Sequence, residues 1–431
     1  MRLKTPPQSS LLLTSVLILA ACGPGENTRT ERTARPVDPP VLHPTSAPVR
    51  PGLEVLLTDS VHLVEGLRVG LIANHTGIDR GRVHGIDRLM EAPEVDLVAL
   101  FSPEHGIRGD EEGGIGVDSG ADERTGLPIH SLYGETRKPT PEMLTGLDAL
   151  LFDIQDVGAR YYTYVSTMAL AMEAAGEAGM PFLVLDRPNP IGGVAVQGNV
   201  LDPAFATFVG LFPVPMRHGM TPGELARLFV GEFGVRTDLA VVPLEGWERP
   251  LTFEGTGLPW IPPSPNMPSV ESAFHYPGTC LFEGTNISVG RGTDRAFQVI
   301  GAPWLDGDSL TVALQGYEIP GVEVRPIRFT PRSPGDGKFS GQEVGGVRLV
   351  VQDTDYDPTL AALALLLETR RISGDRWEWR EAHFDRLAGT DRLRLGIEAG
   401  DSLEKLRAGW DAALEAFRRL REPYLLYPNG S

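Results

Sequence analysis

The chain has little cysteine, few aromatic residues and a shortage of positive charge. Its two cysteines, Cys22 and Cys280, are too few and too far apart in 431 residues for a disulfide framework, and Cys280 reads as a small buried hydrophobe rather than a nucleophile. Aromatic residues make up 7% of the chain and hydrophobic residues 41%, so the core must be mainly aliphatic, with enough material for two ordinary domains. A formal net charge of -18 argues against nucleic acid as a partner, because its phosphates would be repelled rather than neutralised. Three catalytic signatures are also missing: the G-x-S-x-G nucleophile elbow, the H-E-x-x-H zinc helix and the G-x-x-x-x-G-K-[ST] phosphate loop. The nine histidines show no ligand spacing, so no metal is expected. The glycine-rich stretch 288–297, SVGRGTDRAF, lacks a dinucleotide fingerprint, and no cofactor is expected.

What is present begins with MRLKTPPQSSLLLTSVLILAAC. Arg2 and Lys4 precede an apolar stretch, Leu11 to Ala21, which is shorter than the roughly 20 residues of a bilayer-spanning helix. This is the pattern of an export signal, here residues 1–21. The junction Leu19-Ala20-Ala21-Cys22 resembles a bacterial lipobox, which implies cleavage before Cys22 and a lipid on its thiol; the alternative is an ordinary secretory signal. Residues 22–50 are rich in Pro, Thr and Arg without apolar periodicity, as expected of a disordered tether. The resulting expectation is an exported bacterial lipoprotein, anchored to the membrane on the periplasmic face or at the outer membrane.

From residue 51 short apolar runs alternate with amphipathic stretches, which predicts βα units and a largely parallel sheet over 51–257. Four runs read as buried strands: 68–73, 95–101, 147–154 and 181–186. Residues 161–179 place Val165, Met168, Ala169 and Met172 at helical spacing before a stop at Gly179. Thr221 and Glu224 form a capping box for a helix over 221–233, and 237–244 reads as another strand. The proline-dense stretch 258–269 marks a boundary. Beyond it, 258–431 is expected to be a smaller α+β domain with a strand in GVRLVVQDTD, a helix in PTLAALALLLETRRI and one long terminal helix over 401–422. Polar residues follow each buried strand: Asn74-His75, Glu104-His105, Asp153 with Asp156, and Asp186 to Asn189. Ligands of open α/β sheets bind beyond the carboxyl ends of the strands, so these clusters are expected to converge.

With the other chemistries absent, carboxylates remain. A carboxyl at a buried strand end, flanked by Pro103 and Gly106, is placed either to donate a proton or to tie down its loop through backbone N–H groups. A pair of such acids is glycosidase chemistry. For Asp153 and Asp156 the fixing of turns is an equally good account.

Seven motifs, FSPEHGIRG, SLYG, FDIQDVGARYYTY, LDRPNPIGG, RHGMTPGELA, PPSPNMPS and YPGTCLFEGTNISVGRGTDRAFQVIGAPW, together resemble the NamZ-type exo-β-N-acetylmuramidases of glycoside hydrolase family 171. The resemblance spans essentially everything after the tether. It implies a Rossmann-like N-terminal domain, a smaller C-terminal domain, and release of N-acetylmuramic acid from non-reducing ends of peptidoglycan fragments (MurNAc-GlcNAc oligosaccharides). It also implies that Glu104 is the catalytic acid. His105, Asp153 and Asp156, read from their places at the strand ends, are the other catalytic candidates. For binding the sugar the candidates are Asn74, His75, Arg160, Tyr162, Arg187 and Asn189, followed by His218, Asn266, Glu283, Asn286 and Arg291. Muramic acid differs from glucosamine by an anionic 3-O-lactyl group, for which arginine is the fitting partner. Arg187, Arg217 and Arg291 are eligible, and Arg291 is favoured because Gly290 and Gly292 let the backbone approach a ligand. A non-catalytic peptidoglycan-binding lipoprotein is the alternative function.

Overall fold

A computed structural model of the chain describes residues 48–108 and 119–430. The export signal, the lipidation candidate Cys22 and most of the tether lie outside the described residues. The folded part starts before residue 51: Val49 is fully buried, and Arg50 bridges to Glu245.

In chain order the strands are β1 (Arg68–Ala73), β2 (Asp96–Ser102), β3 (Gly120–Ala121), β4 (Pro128–Ser131), β5 (Ala149–Asp153), β6 (Pro181–Leu185), β7 (Gln197–Val200), β8 (Pro215–Arg217), β9 (Asp238–Val242), β10 (Val299–Ala302), β11 (Val322–Phe329) and β12 (Val344–Val351). The principal helices are α1 (Gly52–Asp59), α2 (Gly85–Glu91), α3 (Tyr164–Ala178), α4 (Pro222–Glu232), α5 (Val270–Thr279), α6 (Gly307–Leu314), α7 (Pro358–Ser373), α8 (Glu381–Ala388), α9 (Arg392–Glu398), α10 (Leu403–Leu406) and α11 (Trp410–Arg421).

The large sheet runs β3-β4-β2-β1-β5-β6-β9, parallel throughout except for the edge strand β3. Its six parallel strands, ranked along the chain, lie in the order 3-2-1-4-5-6, the doubly wound Rossmann arrangement. Each central strand is apolar on both faces because helices cover both. In β5, Leu150 and Phe152 join the core under α3, with Met168 and Met172, whereas Ala149 and Leu151 join the core under α1 and α2, with Leu53, Leu56, Ile86 and Leu89. Full burial of a Leu or Phe side chain stabilises by roughly 1.5–3 kcal/mol, so Phe152→Ala would open one side of the sheet. Helix α3 ends at Gly179, which takes the left-handed conformation (φ 69°) that closes the last turn. Helix α4 begins with the expected capping box between Thr221 and Glu224.

The smaller region carries an antiparallel sheet ordered β10-β12-β11, with helices packed beside it. The expected single terminal helix is two, α10 and α11. The break falls before Gly409, whose φ of 86° is incompatible with a continuing right-handed helix. The end of α11 meets the first half, where buried Arg421 donates to the carbonyls of His218 (2.8 Å) and Gly219 (2.7 Å). In the reverse direction, buried Arg160 donates to the carbonyls of Leu387 (3.0 Å) and Ala388 (2.9 Å) at the end of α8. Two buried arginines thus tie the regions together.

Candidate active site

The cleft, with about 290 Å³ of open space, lies between the end of β2, the start of α3, the proline-dense segment and the α5–α8 region. Glu104 and His105 sit on its rim directly after β2. His105 has a left-handed backbone (φ 72°), as does Gly106 after it (φ 77°). For a residue with a Cβ this costs on the order of 1–3 kcal/mol. The strain turns the chain sharply at the strand end, where Glu104 lines the cleft.

Glu104 is braced by neighbours. Thr163, at the N-terminus of α3, donates from Oγ1 to Glu104 Oε2 at 2.7 Å instead of capping its own helix. The Tyr133 hydroxyl also bonds to Glu104, and Tyr133 carries the Arg137 guanidinium over its ring at 4.0 Å. Burial, then the negative charge of Glu104, pushes the Tyr133 hydroxyl up from its ordinary value, which favours its role as a donor. An aromatic floor extends inward: Tyr162 meets Tyr164 edge-on (centroids 5.0 Å) and Tyr276 edge-on (5.6 Å), and Tyr276 meets Phe297 edge-on (4.7 Å).

The facing wall comes from the smaller region. Arg291 pairs with Glu283 at 2.5 Å through Nε and a terminal nitrogen, and its guanidinium lies over the Phe297 ring at 5.5 Å. Burial opposes ionisation of Glu283, but the charges of Arg291 and Lys338 win and hold its carboxyl below the usual range. The left-handed Gly290 and Gly292 that flank Arg291 approach Val299 and the Arg332 backbone too closely for a side chain, so they serve the local fold. Asp336, Arg380 and His383 complete this side.

Of the residues singled out in the sequence, the cleft gathers Glu104, His105, Tyr162, Asn266, Glu283 and Arg291. The others have different surroundings. Asp153 is fully buried and paired with Arg187 through two contacts, 2.5 and 2.9 Å, while Arg187 also donates to the Ile78 carbonyl. This ion pair fills the point between β1 and β5 where a Rossmann fold would admit a dinucleotide. Asn74 accepts from the backbone and hydroxyl of Thr76. His75 contacts the Pro262 carbonyl at 2.8 Å. Asn189 bridges the Ile191 N–H and the Met220 carbonyl. Arg160 is the tie to α8, its proton affinity lowered to a pKa of about 10 by burial. Asn286 joins the Arg376 carbonyl and the Glu378 N–H. Arg217 is buried against Gln197 and the Ile191 carbonyl. Asp156 is buried and accepts from Gly158 N–H (2.7 Å), with His218 Nε2 at 3.7 Å. The strand-end clusters therefore share one edge of the sheet without sharing one cavity. Among the described residues there is no group of acids, histidines and cysteines placed to hold a metal.

Sequence reasoning passed over Thr163, Tyr133, Tyr276, Asp336, Arg380 and His383. Tyr133, Thr163 and Tyr276 lie inside the quoted motifs. Arg380, just before α8, and His383, in its first turn, carry a weaker signal, two nitrogen-bearing side chains three residues apart.

Residues 69–271 match the family described as exo-beta-N-acetylmuramidase NamZ, N-terminal, and residues 274–427 match its C-terminal counterpart. The peptidoglycan beta-N-acetylmuramidase NamZ of Bacillus subtilis (strain 168) is 47% identical over 381 residues, covering 88% of this chain and 91% of that protein. Two crystal structures of DUF1343 family proteins from Bacteroides fragilis NCTC 9343 are similar. One is 39% identical with a TM-score of 0.83, covering 88% of this chain and 99% of the other. The second is 35% identical with a TM-score of 0.71, covering 89% and 100%.

Proposed function

This chain belongs to the exo-β-N-acetylmuramidase NamZ family, and from that premise we propose that it is a glycoside hydrolase releasing N-acetylmuramic acid from the non-reducing ends of peptidoglycan fragments. The observation that carries the reading is Glu104, which lines an open cleft and is held by Thr163 and Tyr133. Glu104 protonates the glycosidic oxygen as the bond to the anomeric carbon breaks, and water supplies the oxygen that ends on that carbon, its proton restoring the acid. The aromatic floor sets the sugar ring, and the fixed donors of Thr163 and Tyr133 stabilise the carboxylate once its proton has gone. A non-catalytic sugar-binding role is not favoured by a 47% identical hydrolase relative. The direct test is incubation with a MurNAc-GlcNAc disaccharide, with release of free N-acetylmuramic acid followed by chromatography. Absence of release by the purified, folded protein would refute the assignment.

Export and lipid anchoring at Cys22 are part of the same proposal, supported by the sequence pattern ending at Leu19-Ala20-Ala21-Cys22. They place the enzyme at the membrane facing the cell wall. A palmitate analogue fed to cells should label the wild type and not Cys22→Ser; equal labelling of both would remove the anchor from the proposal.

A further inference from the structure

The protein carries a formal charge of -18, and a muramic acid unit brings a lactyl carboxylate into its cleft. Like charges repel, so a cation must meet the carboxylate locally. The cleft-lining cations can be compared by what already holds them. Arg291 is committed to Glu283, with 22% of its side chain exposed. His383 accepts from Arg386 at Nδ1 (2.5 Å), so it is a neutral ring with its proton on Nε2. Burial, together with the positive charges of Arg386, Arg380 and Lys338, favours that neutral form.

Arg380 differs. It lines the cleft and is exposed, and no carboxylate lies within ion-pair distance of its guanidinium among the described residues. Its backbone N–H is fixed to the Gly284 carbonyl at 2.8 Å, so the residue is anchored while its side chain is uncommitted. It precedes α8 without a side-chain cap to that helix, so replacing the side chain leaves the helix start intact. Arg187, Arg217, Arg160 and Lys338 are buried, with their terminal nitrogens held by other partners: Arg187 by Asp153, Arg217 by Gln197 and a carbonyl, Arg160 and Lys338 by backbone carbonyls.

We propose that Arg380 binds the 3-O-lactyl carboxylate and thereby selects muramic acid over glucosamine, while Arg291 is a wall residue oriented by Glu283. The proposal rests on the muramidase reading above. It places sugar selection on the smaller region and proton transfer on the sheet domain, so a productive complex requires both.

The test is a cycle of two enzymes and two substrates. The substrates are 4-nitrophenyl β-N-acetylmuramide and the same compound with its lactyl carboxyl converted to a methylamide; the enzymes are wild type and Arg380→Ala. A charge-assisted hydrogen bond is lost only in the acid substrate, so Arg380→Ala should reduce kcat/KM on the acid by roughly tenfold to 100-fold, mainly through KM. The amide keeps a carbonyl acceptor but no charge, so its loss should be several-fold smaller than that of the acid, and Arg380→Lys should recover part of the loss on the acid as a charge without the planar fork. Equal loss on both substrates, or an unchanged preference for the acid, overturns the clamp. A folded wild type that cleaves neither substrate, nor the natural disaccharide, overturns instead the muramidase reading beneath it.

Discussion

The carboxyl ends of β2 and β6 stand at the same edge of one parallel sheet, and each presents an acid, yet the two acids have opposite surroundings. Glu104 after β2 lines open space, with Thr163 and Tyr133 beside it. Asp186 after β6 is sealed: Thr221 and Tyr427 donate to one oxygen at 2.7 and 2.5 Å, and Gly223 N–H to the other at 2.8 Å. Tyr427 arrives from the last residues of the chain. The acid at the end of β5, Asp153, is sealed by Arg187. Position at a strand end therefore offers a carboxylate for chemistry, and what is laid over that end decides whether it is used. The C-terminal tail and the 187–193 loop cover β5 and β6, whereas the cleft with the smaller region is left over β2.

Exchange of acid for amide at both kinds of position tests the distinction. Glu104→Gln should fold normally and lose about 10²- to 10⁴-fold in kcat on an unactivated disaccharide, the usual contribution of general acid catalysis. The loss should shrink with a 4-nitrophenyl leaving group, which needs little protonation; equal losses on the two substrates would remove Glu104 as the acid. Asp153→Asn should do the reverse. It strands a buried Arg187 charge at a cost of about 3–5 kcal/mol, read as a lower midpoint in urea. A stable but inactive Asp153→Asn would contradict the separation drawn between the two strand ends.

The sealed acid should also reveal itself through pH. Burial, reinforced by Glu224, pushes the Asp186 carboxyl up to about 7 against the hydrogen bonds from Tyr427, Gly223 and Thr221. An unfolded Asp titrates near about 3.9, so the folded state binds the extra proton between these values. The stability tied to that proton is fully present below about pH 4 and is lost as pH rises through about 7. Tyr427→Phe removes a donor to the ionised form. It should cost roughly 1.5–3 kcal/mol above pH 7 and less at pH 5, as thermal melts at the two pH values will show. A uniform loss would mean that Tyr427 acts by packing alone.

The smallest expected effect belongs to the open acid's brace. Thr163→Val keeps the shape of the side chain and removes only the hydroxyl that meets Glu104. With about 0.5–1.5 kcal/mol for a hydrogen bond, kcat on the disaccharide should fall roughly threefold to tenfold while the melting temperature stays within error. A drop in stability without a drop in rate would make Thr163 a helix residue rather than a positioning one.

Much of the framework was legible in the sequence because local rules write it. The buried strands announced themselves as continuous apolar runs; β1 has the bounds expected and β2, β5 and β6 lie within a residue or two of theirs. The Thr221 capping box and the Gly179 stop follow from backbone groups within a few residues. The one long terminal helix failed for the same kind of reason in reverse: helical periodicity continues across Gly409, but its positive φ breaks the helix. The motif that contains Glu104 was visible as an acid set between Pro103 and a glycine, next to a buried strand.

Tertiary structure decided the division of labour among the acids and arginines. Asp153 and Glu104 look alike along the chain, each an acid at the end of a buried strand, and only the position of Arg187 and of the opposite cleft wall separates them. Arg291 and Arg380 are likewise two arginines on loops, distinguished by Glu283 lying against one of them. Periodicity and capping depend on neighbours in sequence, so the chain alone determines them. Whether a charge is engaged depends on partners tens or hundreds of residues away, and those are chosen only when the sheet, the smaller region and the returning tail pack against one another.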